Sequence, residues 1–552
     1  MQSKEKPCYA YMVECADGTF YTGWTDDIDK RMKAHNSGRG AKYTRKRAPV
    51  KLVYCERFYN KIHAMSREYA IKQLTRQQKL ELIAQGRDIM LYKKNINPKL
   101  EDGLFENPTS EYRGTPFWAW NGKLSRDTLL TQIEMLRTMG MGGFHMHVRT
   151  GLDCPYLDKE FMEHIKACTQ KAEGENMLAW LYDEDRWPSG TAGGKITHNN
   201  DDFARKTLLF TPNPYEPHRP NKAIQPEPGR GQESIRQDNG ELLAVYDIVL
   251  NDDGTLKSYE QIDENAEAKG TKWYAYMECA TADPWFNNNA YVDTLEPAAI
   301  EKFIKTTHEK YKKAVGNHFG KTIPAIFTDE PQFTPKDTLD FAREQKDVFL
   351  PWTKGLPCEF ENLYGESIFA KLPELIWELP DGNLSLFRYR FHNTVTDRFV
   401  NSYCAQIGQW CRKNGIAMTG HVMGEPTLES QTQAVGDAMR CYKYFGIPGI
   451  DMLCDWHEYN SAKQTASIVH QEGKEGMLSE LYGVTGWDYD FRGYKLQGDW
   501  QAALGVTVRA SLRPLRPPAL RAPDARSGDR PDGAQGAGRL PSPGKTRGLK
   551  KQ

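Results

Sequence analysis

The chain has 552 residues, of which 39% are hydrophobic and 11% aromatic, and its 73 basic and 73 acidic side chains leave a net charge of +0. No stretch approaches the roughly 18 apolar residues of a membrane span, and Met1–Tyr11 lacks the pattern of a signal peptide. The 11 cysteines include no CxxC pair, which argues against a zinc ribbon or a disulfide framework. We therefore expect a cytoplasmic chain with no membrane partner, large enough for a barrel and an extra domain.

The neutral total conceals three blocks of charge. Residues 1–89 carry 18 basic against 10 acidic side chains, residues 90–506 carry 44 against 60, and residues 507–552 carry 11 against 3. A basic module is thus joined to an acidic one. This asymmetry predicts that the two modules have different partners.

Residues 1–85 have the pattern of a small α/β domain. Basic residues interleave with tyrosines, which is typical of a protein that binds a phosphate backbone such as DNA. A long amphipathic helix containing Glu68 closes the unit. The elements predicted before it are strands over Tyr9–Cys15, Phe20–Trp24 and Val50–Tyr54, a hairpin turn at Asp17-Gly18, a helix over Asp29–Asn36 and a basic loop over Gly38–Arg47.

Residues 7–83 resemble the GIY-YIG nuclease superfamily, most closely its small single-domain bacterial members. The motif tyrosines correspond to Tyr11 in Tyr-Ala-Tyr, which departs from the family's Gly-Ile-Tyr, and to Tyr21 in Tyr-Thr-Gly. Arg31 stands at the family's helix arginine and Glu68 at its metal-binding glutamate. The resemblance implies cleavage of DNA with Mg²⁺ or Mn²⁺ on Glu68, a tyrosine that positions or deprotonates water, and an arginine that stabilises the phosphate. Core packing is the alternative role for either tyrosine alone.

Residues 86–115 show no core pattern and predict a linker followed by an extended lead-in. Met90 begins what reads as a fresh start to a second protein. Our hypothesis is that two neighbouring genes have become one reading frame. Resequencing of codons 79–90 tests it, because a stop codon there would establish an artefact and an uninterrupted frame would exclude one.

Residues 116–506 alternate strand and helix signals in the manner of a (β/α) barrel. Residues 195–295 break this rhythm with β-like segments at Glu241–Leu250 and Thr271–Cys279, which predicts a β-rich insertion. The fold class is therefore α/β, with a nuclease-like domain before a (β/α)8-type barrel. Seven barrel strands are predicted, over Phe117–Asn121, Gly143–Val148, Met177–Tyr182, Ile323–Glu330, Ala417–Glu425, Gly449–Leu453 and Met477–Tyr482.

Two of these strands end in acids. The apolar run from Ile323 stops at Asp329 and Glu330 before Pro331, and the last strand carries Glu480. Paired carboxylates at the carboxyl ends of barrel strands are typical of a glycoside hydrolase, whereas a structural acid or a helix cap is the alternative for either one alone. Other strand-end side chains suited to binding sugar hydroxyls or stacking on sugar rings are His145, His147, Arg149, Asp183, Glu184, Trp187, His421, Glu425, Asp451 and Trp487.

Four motifs between about residues 97 and 506 resemble family 106 of the glycoside hydrolases, the α-L-rhamnosidases and their relatives. They are Thr115–Asn121, Gly142–Arg149, Trp180–Gly190 and Ser479–Gly483. The resemblance implies that Glu330 is the general acid, that Glu480 is the base activating water, and that the reaction inverts. Inversion requires carboxylates roughly 6.5–9.5 Å apart, against ~5 Å for a retaining pair. A bound Ca²⁺ is compatible with such a site.

The predicted barrel lacks its last strand. Residues 507–552 follow a helix over Lys495–Leu504 and contain no four-residue β-branched or aromatic run that could supply an eighth strand. Their Pro, Gly, Arg and Ala content predicts disorder, or a coding region translated in the wrong frame. We therefore expect exposed strand edges, poor solubility and little glycosidase activity for residues 90–552.

Three functions remain open. The first is hydrolysis of a terminal α-L-rhamnoside-like sugar from a polysaccharide or other glycoside, in a chain that also cleaves DNA. In the second, only the endonuclease works and the barrel is a truncated passenger. In the third, the barrel binds sugar without turning it over. Substitution of Glu330 and of Glu68 separates these alternatives.

Overall fold

The computed structural model describes residues 8–58, 61–85, 102–215, 236–237, 239–486 and 488–511. Trp487, residues 86–101 of the predicted linker and residues 512–552 lie outside the described residues, and what was predicted for them stays a prediction. Among the helices that are described, none is long and apolar enough to cross a bilayer.

Residues 8–85 form a three-stranded antiparallel sheet with helices. Its central strand, Cys8–Glu14, lies between Phe20–Thr25 and Lys51–Phe58 and alternates its side chains between two faces. Ala10 and Met12 join the cluster that includes Ile71, whereas Tyr11 and Val13 join the cluster that includes Ile28. The elements are β1 (Cys8–Glu14), β2 (Phe20–Thr25), α1 (Ile28–Asn36), β3 (Lys51–Phe58), α2 (Lys61–Gln73) and α3 (Arg76–Gln85).

The segment from 102 to 279 contributes three barrel strands and most of a second sheet. The predicted lead-in is not wholly extended, because it contains a short helix. The elements are α4 (Asp102–Glu106), β4 (Phe117–Trp120), α5 (Arg126–Thr138), β5 (Gly143–Val148), α6 (Lys159–Gly174), β6 (Leu178–Tyr182), β7 (Lys206–Thr211), β8 (Glu241–Leu250), β9 (Leu256–Ile262) and β10 (Thr271–Cys279).

The rest of the chain supplies five further barrel strands and one strand of the second sheet. A π-helical turn at Val400–Ala405 separates two of its helices. The elements are α7 (Pro297–Thr306), α8 (His308–Val315), β11 (Ala325–Asp329), β12 (Val348–Trp352), α9 (Leu356–Tyr364), α10 (Leu386–Phe399), α11 (Gln406–Asn414), β13 (Ala417–His421), α12 (Leu428–Ala434), α13 (Ala438–Tyr442), β14 (Ile447–Met452), α14 (Tyr459–Gln471), β15 (Leu478–Leu481), α15 (Phe491–Ala503) and β16 (Val508–Ser511).

The barrel sheet contains eight strands in the order β16-β15-β14-β13-β11-β6-β5-β4, and all neighbouring strands are parallel. The two ends of the sheet approach each other, because the Thr115 N–H donates to the Arg509 carbonyl at 2.9 Å. The sheet is therefore nearly closed, which confirms the predicted α/β barrel.

The eighth strand, predicted to be missing, is present as β16. It pairs with β15 from Leu478↔Val508 to Leu481↔Ser511. The prediction required a run of β-branched or aromatic residues, but a short buried strand needs only alternate apolar positions. Val508 and Ala510 fill those positions and are both buried inside the barrel. The expectation of two exposed strand edges fails for the same reason.

The barrel interior is filled with side chains and forms no pore. Its layers are built from residues that alternate along each strand, as in other eight-stranded barrels. Small residues such as Ala325 and Ala417 leave room for large aromatic ones. The buried inward-facing cluster comprises Phe117, Trp180, Tyr182, Ala325, Phe327, Ala417, Ile447, Leu478, Val508 and Ala510.

Helix α6 illustrates how the outer layer forms. Asp158 caps it by accepting the Phe161 N–H at 2.9 Å. Phe161, Ile165, Cys168 and Ala172 recur at helical spacing and are all buried, so one face of the helix covers the sheet.

The second sheet is antiparallel, with the order β12-β7-β10-β8-β9. The predicted segments Glu241–Leu250 and Thr271–Cys279 are two of its strands. Its edge strand β12 comes from beyond β11, outside the 195–295 range predicted for the insertion. The sheet is therefore assembled from two separate parts of the chain.

Candidate active sites

Acids and one histidine meet at the carboxyl ends of four barrel strands. Asp329 of β11 pairs with His421 of β13, and Asp451 of β14 pairs with Glu480 of β15. Each of these four residues lies two or four positions beyond an inward-facing core residue of its own strand. Their side chains therefore all face the barrel axis at the carboxyl end of the strands. Glu330 follows Asp329 directly. The structure therefore brings together six ionisable residues, Asp329, Glu330, His421, Glu425, Asp451 and Glu480.

Asp329 and His421 form the charged centre of this group. His421 Nε2 lies 3.3 Å from Asp329 Oδ1, and the Tyr182 hydroxyl donates to Asp329 Oδ2 at 2.7 Å. Burial alone would raise the pKa of Asp329, but the hydrogen bond and charge of His421 outweigh it and lower the pKa below its ordinary value. Burial likewise opposes the charged form of His421, yet Asp329 and the other acids raise its pKa well above its ordinary value. At neutral pH the two side chains are an ion pair.

Glu330 is half-buried and has an unusual backbone. Its φ is 47°, in the left-handed region that non-glycine residues rarely adopt, and its N–H donates to the His421 carbonyl at 3.2 Å. Burial, the charge of Asp329 and the nearby acids raise the pKa of its carboxyl to about 8, although His421 opposes them. The Glu330 carboxyl therefore keeps its proton at neutral pH.

Glu425 and Asp451 form a second linked pair. The Tyr442 hydroxyl donates to Glu425 Oε1, and the Asp451 N–H donates to Glu425 Oε2 at 2.8 Å. Burial raises the pKa of Glu425 to about 8. Both of its carboxyl oxygens are thus occupied by protein donors, the Tyr442 hydroxyl and the Asp451 N–H. Asp451 is half-buried, and its Oδ1 has no hydrogen-bond partner among the described residues.

Glu480 is buried, as are Asp329 and Glu425. It is 9% exposed, and burial together with Asp451 and Asp329 raises its pKa well above the ordinary value. The two most accessible acids of the group are Glu330 and Asp451.

Two sets of these residues could hold a metal ion. Asp329, His421 and Glu480 bring ligand atoms within 4.8 Å of one another, and so do Glu330, His421 and Asp451. Both sets include His421, which is protonated and directed at Asp329. Ca²⁺ takes six to eight oxygen ligands, and an imidazolium offers it no lone pair. The residues present therefore fit Ca²⁺ poorly.

Two predicted sugar-binding histidines lie inside the barrel, which contradicts their predicted role. His145 stacks on Trp180 at 5.0 Å, and its Nδ1 lies 3.0 Å from the Thr115 carbonyl. His147 packs edge-on against Tyr182 at 4.3 Å. Burial lowers the pKa of each to about 3, so both are neutral core residues. The alternation of β5 points them toward the barrel axis but below the rim.

The segment after β6 also departs from its predicted role. Asp183 and Glu184 are fully buried, and Glu184 accepts five backbone N–H groups, so neither side chain can reach a sugar. Arg149 and Trp187 remain half-buried. Trp187 packs edge-on against Trp285 at 5.6 Å between ring centroids.

Three residues of the site were missed by sequence reasoning, and a fourth, Asp329, was noted at the end of its strand but given no role. Asp329, Tyr182, Ser189 and Tyr442 all contact the acids of the group directly or through their backbone. The period of two along β11 could have identified Asp329, since it lies two residues beyond Phe327 on the inward face. The other three depend on contacts between distant parts of the chain, which no local pattern reveals.

The N-terminal domain has a second polar centre around Tyr11. Arg31 Nε donates to the Tyr11 hydroxyl at 2.8 Å, and that hydroxyl lies 2.8 Å from His35 Nε2. His35 Nδ1 lies 2.7 Å from Thr44 Oγ1, which itself donates to the Ala41 carbonyl. Thr44 therefore accepts from His35 Nδ1–H, and Nε2 is left to accept the Tyr11 proton.

The protonation of this centre follows from its burial. Burial raises the pKa of Tyr11 to about 12, although Arg31 opposes the shift. Burial and the charge of Arg31 lower the pKa of His35 to about 4, so the imidazole is neutral. Gly23 of the Tyr-Thr-Gly motif faces Tyr11 across the strands, and a Cβ there would lie 2.6 Å from the Tyr11 hydroxyl. Only glycine leaves room for this tyrosine.

Tyr21 and Glu68 lie close to the same centre. The Tyr21 ring contacts the His35 ring at 5.3 Å and the Tyr11 ring at 6.4 Å between centroids. Glu68 adds negative charge near Tyr11, and its Oε1 accepts from Lys72 at 2.7 Å. A partly exposed carboxylate beside a tyrosine and an arginine fits a hard divalent ion by donor type.

The sequence comparisons concern this first domain. The model of the GIY-YIG catalytic domain matches residues 7–81. A UPF0213 protein of Clostridium perfringens is 63% identical over 76 residues, which is 14% of this chain and 82% of the relative. A UPF0213 protein of Streptococcus agalactiae is 54% identical over 82 residues, covering 15% of this chain and 93% of the relative.

Among solved structures, a UPF0213 protein from Bacillus halodurans is 49% identical and covers 14% of this chain and 83% of its own, with a TM-score of 0.11. A rhamnosidase from Novosphingobium sp. PP1Y is 13% identical with a TM-score of 0.48, covering 74% of this chain. This chain spans 56% of that rhamnosidase, and a likeness at this level says nothing about activity. Through residues 7–81, the chain belongs to the GIY-YIG family and carries a nuclease-type domain of the UPF0213 kind.

Proposed function

We propose that the barrel hydrolyses an α-L-rhamnoside-like glycoside with Glu330 as its general acid. One observation carries this proposal: the half-buried Glu330 carboxyl has a pKa of about 8 beside an ionised Asp329. A general acid must hold a proton at working pH and reach the leaving-group oxygen. Glu330 has the proton and is one of the two accessible acids.

The base is assigned to Glu480 by resemblance alone. A base must be ionised, whereas burial, together with repulsion from Asp451 and Asp329, raises the pKa of Glu480 well above its ordinary value and opposes its ionisation. Asp451 is the competing candidate, since it is more exposed and has one unpartnered oxygen. The residues of the site fit a Ca²⁺ ion poorly, and no step of the proposed reaction depends on one.

The leaving group provides the test of the acid role. Glu330→Gln should lower the hydrolysis of an alkyl or sugar rhamnoside about 10²- to 10⁴-fold, since those alcohols need a proton to leave. A dinitrophenyl rhamnoside should lose much less, because dinitrophenolate leaves without protonation. Equal losses on both substrates would mean that Glu330 is not the acid.

The second proposed function is divalent-metal-dependent hydrolysis of DNA by residues 7–81. Its supporting observation is the Tyr11 hydroxyl held between Arg31 and His35. Neutral His35 accepts the hydrogen bond of the Tyr11 hydroxyl and so holds Tyr11 in place to position the attacking water, while Arg31 faces the phosphate charge. Mg²⁺ or Mn²⁺ on Glu68 would supply charge neutralisation at the phosphate. Nicking of plasmid DNA by the full chain, abolished by Glu68→Ala, tests this proposal.

A further inference from the structure

The loop of residues 183–193, which follows β6, is folded around one carboxylate. Glu184 Oε1 accepts the N–H groups of Asp185 and Gly193 at 2.8 and 2.6 Å. Glu184 Oε2 accepts three more, from Gly190, Thr191 and Ala192, at 2.7–2.9 Å. A carboxylate offers about four lone-pair sites, so this one is fully used by its own loop. The 183–193 loop is therefore rigidly built around Glu184.

Ser189 connects this loop to the end of β11. Its Oγ accepts the Asp329 N–H at 2.9 Å and donates to Asp183 Oδ1 at 2.7 Å. Its own N–H donates to the Asp329 carbonyl at 2.7 Å. Both backbone groups of Asp329 are thus held by one serine. The regular pairing of β6 with β11 ends at Tyr182↔Phe327, so Ser189 holds the strand beyond the point where the ladder stops.

The next residue is the one that needs support. Glu330 adopts a φ of 47°, which costs free energy for a residue with a side chain and persists only where neighbours impose it. Its one backbone hydrogen bond in the described structure is to the His421 carbonyl. A residue with this conformation points its side chain in a direction that an extended strand would not allow.

We propose that Ser189 is a positioning residue, which fixes the Asp329 backbone and thereby aims the Glu330 carboxyl at the leaving group. Glu184 acts behind it by holding the loop that presents Ser189. This inference rests on the proposed glycosidase function for its kinetic readout, but the backbone restraint can be measured without any activity.

Ser189→Ala tests the proposal, with Ser402→Ala as its matched control. Ser402 is equally buried, and its Oγ has no hydrogen-bond partner among the described residues, so the control removes a buried hydroxyl but no hydrogen bond to β11. We expect Ser189→Ala to lower kcat on a sugar rhamnoside about 10- to 100-fold with KM unchanged, since small misplacements of a catalytic group cost that much. On a dinitrophenyl rhamnoside we expect less than about a threefold loss, because no proton is needed.

A second measurement is independent of turnover. Amide hydrogen exchange of the peptide spanning residues 328–334 should be about tenfold faster in Ser189→Ala than in Ser402→Ala at equal melting temperature. The Glu330 N–H should be among the amides that exchange faster. If wild-type protein hydrolyses neither rhamnoside, the proposed function fails, yet the exchange comparison still decides the role of Ser189. Exchange and leaving-group dependence identical in the two variants would overturn the proposal.

Discussion

His421 Nε2 lies 3.3 Å from Asp329 Oδ1, which joins the carboxyl ends of two neighbouring barrel strands. This contact places a single positive charge among five carboxyl groups. One imidazolium can balance one carboxylate, and burial makes further uncompensated charge costly. Burial is the main cause of the raised pKa values of Glu330, Glu425 and Glu480, and repulsion between the acids adds to it.

The first prediction separates the two candidate bases. If Glu480 activates water, Glu480→Gln lowers kcat about 10²- to 10⁴-fold on both poor and activated leaving groups, because water attack is needed for either. Asp451→Asn should then act mainly on KM. Steady-state kinetics of the two variants decide this, and the reverse result would make the more exposed Asp451 the base.

The second prediction concerns stability against pH. Glu425 has a pKa of about 8 when folded, against an ordinary value of 4.5. Between these values the folded chain holds a proton that the unfolded chain has released. The stabilisation is therefore complete below pH 4.5 and is lost as pH rises through about 8, at up to about 1.4 kcal/mol per pH unit.

Urea unfolding at several pH values between 5 and 8 measures this slope. Glu425→Gln should make it shallower, whereas the exposed Glu429→Gln on the following helix should leave it unchanged. A slope equal in Glu425→Gln and wild type would show that Glu425 is ionised in the folded protein.

The third prediction concerns the nuclease-type domain. Tyr11→Phe keeps the buried ring but removes the hydroxyl held by Arg31 and His35. We expect Mg²⁺-dependent nicking to fall by about 10²-fold or more, the usual loss when an attacking group is misplaced. Tyr54→Phe is the control, since its hydroxyl lies on another face of the sheet and contacts Arg67. Equal activity in the two variants would remove Tyr11 from the mechanism.

The fourth prediction tests the eighth strand. A chain ending at Ser511 should give a soluble barrel with a cooperative melt, whereas a chain ending at Val506 should aggregate, because the inward face and edge of β15 become exposed. Light scattering and circular dichroism compare the two. Equal behaviour would mean that β16 contributes nothing to barrel stability.

Local patterns were sufficient for much of the fold. The alternation in Gly143–Val148 and the β-rich segments Glu241–Leu250 and Thr271–Cys279 predicted strands whose observed bounds are the same. The period of two and the turn residues are properties of neighbouring residues, so the sequence alone reveals them. Strand β16 was not predicted because it has only four residues. Its two inward positions hold a branched and a small residue, Val508 and Ala510, which give too weak a local strand pattern.

The candidate site was less predictable. Glu330 and Glu480 could be selected because acids end apolar runs, but the depth of a side chain in the barrel depends on strand register. That is why His145 and His147 proved to be core residues while Asp329 lies at the centre of the acids. Likewise, nothing local indicates that Glu184 binds its own loop, since its partners lie up to nine residues away.

One experiment tests most directly the central claim that the chain carries two independent hydrolytic sites. Wild type, Glu330→Gln and Glu68→Ala are each assayed as the full chain for sugar release from an alkyl rhamnoside and for Mg²⁺-dependent plasmid nicking. We predict that Glu330→Gln abolishes only sugar release and that Glu68→Ala abolishes only nicking, because each acid serves one site. Substitutions that leave both activities unchanged, or that abolish both together, would contradict the account.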